Sequence, residues 1–121
     1  MAKSFRELKV WNCAIELTTL IYALTADFPK AEIYGLSSQT RAAVSIASNI
    51  AEGSARGTRK DFKQFVTIAR GSNYELQTQL VIAGRLGLSD TEKINAAEVL
   101  SHEVGQMLSG LSKYLGMSRS N

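Results

Sequence analysis

From Leu8 onward the apolar positions recur at steps of three and four. Leu8, Trp11, Ile15, Thr18, Tyr22 and Thr25 form the series, with Ala14 and Ile21 widening it. That spacing marks one face of an α-helix and predicts a first helix over about residues 6–27. Pro29 ends it, because the residue before a proline avoids helical backbone. Residues 30–36 read as a connector, and Ser37 or Ser38 can cap a second helix over about 37–55. Thr58 caps a third helix over 59–86, with Asp61 three residues on in a weak capping-box arrangement. Phe62, Phe65, Val66, Ala69, Leu76, Leu80 and Ala83 share a face of it, and Gly87 stops it. Gly71 and Gly84 interrupt the third helix, and close packing is the expected reason. Ser89-Asp90-Thr91-Glu92 is a second capping box and opens a fourth helix over about 90–116. Its apolar series is Ala97, Leu100, Val104, Met107, Leu111 and Tyr114. Residues 118–121 are expected to fray.

Four amphipathic segments with short connections predict an all-α fold, an antiparallel up-down-up-down four-helix bundle. At 121 residues the chain reads as a single domain over 1–121, large enough to bury a core without disulfides or metal. One proline and few aromatics agree with helices rather than sheets. No apolar run approaches the roughly 18 residues of a membrane span, and the first ten residues lack an apolar signal core. The lone Cys13 has no internal disulfide partner, which fits a reducing compartment. A cytoplasmic protein with no membrane partner is the expectation.

The second helix is unusual. Residues 42–53 read AAVSIASNIAEG, with Ala43, Ile46, Ala47 and Ile50 at helical spacing but little side-chain bulk. Small residues let another backbone approach closely. Ser48, Asn49, Glu52 and Gly53 follow as a structural turn or an interface. The side chains of Ser48, Asn49 and Glu52 are expected to bond the backbone around the next turn, with Glu52 facing Arg56 at i, i+4.

Charge then sharpens the picture. The net charge is only +3, but residues 41–85 hold seven basic groups against three acidic ones. Those seven, Arg41, Arg56, Arg59, Lys60, Lys63, Arg70 and Arg85, are the candidate nucleic-acid-binding residues, because such a field attracts polyanions. The competing reading is a solvated helix face. A helix start favours acids over bases, so neutralising Arg56, Arg59, Lys60 and Lys63 is expected to leave the fold intact.

Catalytic chemistry is missing. No catalytic residue, metal ligand set or cofactor is assigned. His102 is the only histidine, and with Glu98 at i, i+4 it falls short of a di-metal bundle site. Cys13 paired with His102 as nucleophile and base has no local support. GSARGTRK lacks the spacing and the ending of a phosphate loop. Trp11 reads as core.

Three stretches carry a resemblance: FRELKVW at residues 5–11, the run at 27–56 around SIASNIAEG, and IARGSNYELQTQLVIAGRLG at 68–87. Together they resemble the four-helix-bundle family of proteins encoded in intervening sequences of bacterial 23S ribosomal RNA genes. That family is similar to the accessory variability protein of diversity-generating retroelements. The family pattern usually carries proline where this chain has Ala47, so the second helix should kink less. The resemblance implies a cyclic homopentamer. In the retroelement branch it implies a ring that binds nucleic acid and a reverse transcriptase.

Two functions follow as expectations. One is a non-enzymatic oligomeric scaffold, a homopentamer, that binds RNA or DNA through the basic surface. The other is a protein-interaction ring with no nucleic-acid role, its partner a reverse transcriptase or another neighbouring-gene product.

Overall fold

The computed structural model describes residues 4–32, 35–36 and 38–117. Four helices dominate: α1 (Lys9–Thr25), α2 (Ser38–Ser54), α3 (Arg59–Leu86) and α4 (Thr91–Gly116). Each helix packs against its sequence neighbours, and α1 closes the square against α4. The expected residues 37 and 118–121 lie outside the described residues.

Pairs across the seams give the direction of each helix. Along α2 and α3, Ser38 meets Gln79, Ser45 meets Ser72, and Gly53 meets Phe65. Rising numbers oppose falling ones, so the two helices run antiparallel. Along α3 and α4, Lys63 meets Gly116, Asn73 meets Ser101, and Gly84 meets Ile94, which is again antiparallel. At one end Asp27 of the α1–α2 connector accepts hydrogen bonds from Lys93 (3.0 Å) and Ser89 (3.1 Å) beside the start of α4. Those bonds, led by the one from Lys93, hold the Asp27 carboxyl below the usual carboxylate range.

The core is the interior of this square. Leu17, Ile21 and Leu24 of α1, Ile46 and Ile50 of α2, Val66, Leu76 and Leu80 of α3, and Val104 and Leu108 of α4 are fully buried in one cluster. Each such side chain contributes about 1.5–3 kcal/mol by leaving water. A smaller cluster of Leu36, Ala83 and Ile94 seals the end near the α3–α4 turn.

Several local expectations are met. The Thr58 hydroxyl accepts from the Asp61 N–H at 3.1 Å and caps α3. Gly87 adopts φ 64° and donates back to the last turn of α3, a conformation that glycine reaches without steric cost. Ala43, Ile46, Ala47 and Ile50 are all buried, and α2 runs unbroken past Ala47.

Other expectations are corrected. The first helix does not begin at Arg6. Residues Phe5–Glu7 form a 3-10 turn, and Leu8 is extended (φ −76°, ψ 127°) before α1 starts. The Asn12 amide fixes this break by donating to the carbonyls of Arg6 (2.9 Å) and Leu8 (3.0 Å). Three-residue and helical steps look alike in the sequence, so the spacing passed over the break.

The apolar stripe of α1 is also rotated. Its buried positions are Val10, Ala14, Leu17, Ile21 and Leu24, whereas Ile15 and Tyr22 are exposed. In α4 the buried line is Ile94, Ala97, Ser101, Val104, Leu108, Ser112 and Leu115. Leu100, Met107 and Leu111 flank it, and Tyr114 is exposed. A helix in a square bundle contacts two neighbours, so its apolar face is broad. Periodicity finds the face, but its centre is set by the neighbouring helices.

The cap of α4 is Asp90, whose carboxylate accepts from the Glu92 N–H at 2.9 Å. Ser89 instead bonds Asp27. Close packing does not account for Gly71, where an added Cβ would meet nothing within 4 Å; at Gly84 it would make only ordinary contact with Ile94, at 3.7 Å.

Candidate nucleic-acid interface

Gly53 sets the geometry of the basic end. It is buried in the last turn of α2. A Cβ there would lie 2.6 Å from Phe65 Cβ and 2.9 Å from Phe62 Cδ1. Only a hydrogen leaves room for α3 to start against the end of α2. The intervening turn reverses through Gly57 at φ 92°. Arg56, Arg59, Lys60 and Lys63 are thereby gathered at one end of the bundle.

Antiparallel packing brings the last turn of α4 to the same end. The Arg59 guanidinium donates to the Tyr114 carbonyl and lies 4.5 Å from the Tyr114 ring centroid. The Lys63 ammonium sits against Gly116, where an added Cβ would be 2.7 Å from Nζ. Lys113, also in that last turn, therefore joins the positive end. Sequence reasoning missed it, because nothing local to Lys113 signals that it faces the start of α3.

The seven expected residues do not form one surface. Arg70 lies two turns beyond Lys63 on α3. Arg85 is about 39 Å from Arg59 along the helix axis. Arg41 sits in the first turn of α2, near Ser45, Ser72 and Glu75, opposite the middle of α3 and about 15 Å along the axis from Arg85. The proximity in sequence is broken up by two long antiparallel helices.

The gathered charges differ in availability. Arg56 pairs with Glu52 at 2.7 Å, as the spacing predicts, and lies 4.9 Å from the Phe65 ring centroid. Both partners are about half exposed, so the pair adds little stability. Arg59 is committed to the C-terminus of α4, where the Tyr114 carbonyl, which also accepts from the Met117 N–H, lies at the negative end of the helix dipole. Neutralising it is therefore expected to cost stability, which the start of α3 alone does not suggest. Among the described residues Lys60, Lys63, Arg70 and Lys113 have no ion-pair partner.

The polar group of α2 acts along the α2–α3 seam. The Asn49 amide donates to the Ser45 carbonyl (2.8 Å) and approaches its hydroxyl (2.9 Å), which in turn bonds Ser72 of α3 (2.9 Å). The expected bonds from this group to the turn backbone are not what Asn49 makes. Ser48 is exposed on the outer side of α2.

Cys13 and His102 line separate grooves, Cys13 beside Met107 between α1 and α4 and His102 between α3 and α4. Among the described residues no group of three or more His, Cys, Asp or Glu side chains could hold a metal ion. No described helix is long and apolar enough to cross a membrane. Trp11 is half-buried against the core, with the Phe5 ring edge-on at 5.1 Å.

The family model described as 23S rRNA-intervening sequence protein matches residues 6–110, and the chain belongs to that family. It is a family of small, non-catalytic helical proteins. A search of curated proteins found no match.

Proposed function

From membership in this family, we propose that the protein is a non-enzymatic, self-assembling scaffold that holds nucleic acid by its phosphates. The observation that carries the proposal is the end of the bundle that bears Lys60, Lys63 and Lys113, none of them with an ion-pair partner among the described residues. A lysine ammonium is a compact point charge suited to phosphate. Repeating the cluster around an oligomer multiplies a weak contact. Binding through phosphates reads little sequence. The test is the affinity of the protein for random-sequence RNA and DNA as salt rises. Each phosphate contact contributes about 0.7–0.9 to the log–log slope. Affinity that is absent near 50 mM salt, or independent of salt, overturns the proposal.

Self-assembly is supported by the outer side of α3, where Ile68, Ile82 and Leu86 are exposed within about 40° of one another around the helix. The arrangement proposed, from the resemblance, is a cyclic homopentamer. Five chains of 13.2 kDa give about 66 kDa for a closed ring. Light scattering that finds 13 kDa particles at micromolar concentration removes the ring and the avidity with it. The same apolar side favours a second reading, in which it docks a protein such as a reverse transcriptase and the basic end binds nothing.

A further inference from the structure

A groove runs between α3 and α4, with a volume of about 590 Å³. Small-molecule sites commonly span about 300–1,000 Å³. Tyr74 and Gln77 line it from α3, and His102, Gln106, Ser109 and Lys113 from α4.

Four features set this groove apart. It contains no carboxylate, whereas Glu16, Glu75 or Glu103 lines each of the other described grooves. Its polar side chains are unspent: Gln77, His102, Gln106, Ser109 and Lys113 have no hydrogen-bond or ion-pair partner within the described chain. Gly110 opens the groove without a packing reason, since an added Cβ there would meet nothing within 4 Å. A glycine inside a helix costs about 1 kcal/mol relative to alanine, and no close contact among the described residues offsets that cost. Finally, Tyr74 is 59% exposed. Its backbone is held firmly, because the adjacent Asn73 is buried and bonded to Ser101.

The groove is continuous with the basic end. Arg70 lies one turn before Tyr74, where i, i+4 side chains are neighbours. Lys113 is shared by the groove and the positive cluster. An exposed aromatic ring, unpaired amides and flanking cations are the groups that hold an unpaired nucleotide: ring on ring, amide on base edge, cation on phosphate.

Resting on the phosphate-binding reading above, we infer that this groove takes a segment of single-stranded nucleic acid. One base stacks on Tyr74, Gln77 and Gln106 meet its edge, and Lys113 and Arg70 hold the flanking phosphates. A duplex keeps its bases stacked internally and cannot offer one to Tyr74. The basic end alone binds duplex and single strand, and the groove adds affinity for the single strand only.

The test uses the intact oligomer, a labelled twelve-nucleotide oligouridine and a duplex of equal length. Tyr74→Ala lowers single-strand affinity roughly 5- to 150-fold, the range of one lost base stack. It leaves duplex affinity and the salt slope unchanged, because no phosphate contact is lost. Tyr74→Phe restores binding, and Gly110→Leu, which fills the groove, reproduces the loss. A 5-iodouridine strand cross-links to the peptide that carries Tyr74. Uridine monophosphate competes weakly, since it supplies one phosphate where the strand supplies one on each side of the base. Competition as strong as that of the strand reassigns the groove to free nucleotides and overturns the inference. If the strand binds and Tyr74→Ala binds it as tightly as wild type, the inference fails while the phosphate reading stands. If wild type binds neither strand nor duplex, the phosphate reading has failed and takes this inference with it. If Tyr74→Ala changes only the oligomer mass, the groove holds a second copy of the chain and the inference is overturned.

Discussion

Asn73 and Ser101 exchange two hydrogen bonds across the α3–α4 seam. The Asn73 amide donates to the Ser101 carbonyl at 3.0 Å, and the Ser101 hydroxyl donates to the Asn73 carbonyl oxygen at 2.7 Å. Both residues are buried. A reciprocal pair in the interior fixes the register of the two helices, since a slip of one turn strands both polar groups. Ser101→Ala leaves the Asn73 oxygen unpaired and is expected to destabilise by about 1–3 kcal/mol. The double variant Asn73→Ala/Ser101→Ala should cost less than the sum of the single changes, by at least about 0.5 kcal/mol. Urea unfolding of the four proteins measures this, and strict additivity would show that the pair is not coupled.

Gly53→Val should be among the most damaging single changes. The new side chain would run into the Phe62 and Phe65 side chains that α3 presses against α2. Neither ring can withdraw without loosening the start of α3, so a loss of about 3 kcal/mol or more is expected. Space, not a left-handed backbone, is the reason, because Gly53 is not among the positive-φ glycines. Gly110→Val, in open space on α4, should change stability by no more than about 0.5 kcal/mol. Thermal melts of the two variants give the comparison, and equal melting temperatures would refute the packing argument.

The cations at the basic end should separate into two kinds. Arg59→Gln removes a charged donor from the α4 terminus and a cation from the Tyr114 ring, and is expected to cost about 1–3 kcal/mol. Lys60→Gln should change stability by less than about 0.5 kcal/mol. In the combined Lys60, Lys63 and Lys113 to Gln variant the salt slope for RNA should fall by about 2–3, with helicity retained. A variant that keeps the wild-type slope would show that these lysines do not meet phosphate.

Gln39 is fully buried in α2, and neither atom of its amide has a partner among the protein groups. An unpaired buried polar group costs about 1–3 kcal/mol. Gln39→Leu, of similar size, should raise the urea midpoint and stabilise by an amount in that range. A lower midpoint would mean that the amide finds partners in solution that the chain itself does not supply.

Helix number, order and most boundaries were legible in the sequence, because caps, glycines and periodicity act over a few residues. Thr58, Gly87 and the buried series of α2 are cases where the local signal and the structure coincide. The break at Leu8 and the rotated faces of α1 and α4 were not legible. A 3-10 turn shares the helical spacing, and the centre of a broad apolar face depends on which neighbours cover it. The excess of positive charge in residues 41–85 was also plain from the sequence. Its division was decided by the tertiary structure alone: a helix of 28 residues carries Arg59 and Arg85 to opposite ends. An antiparallel partner then brings Lys113 to the first and spends Arg59 on its own terminus. Charge and periodicity are properties of the chain, whereas coincidence in space is a property of packing between segments far apart along it.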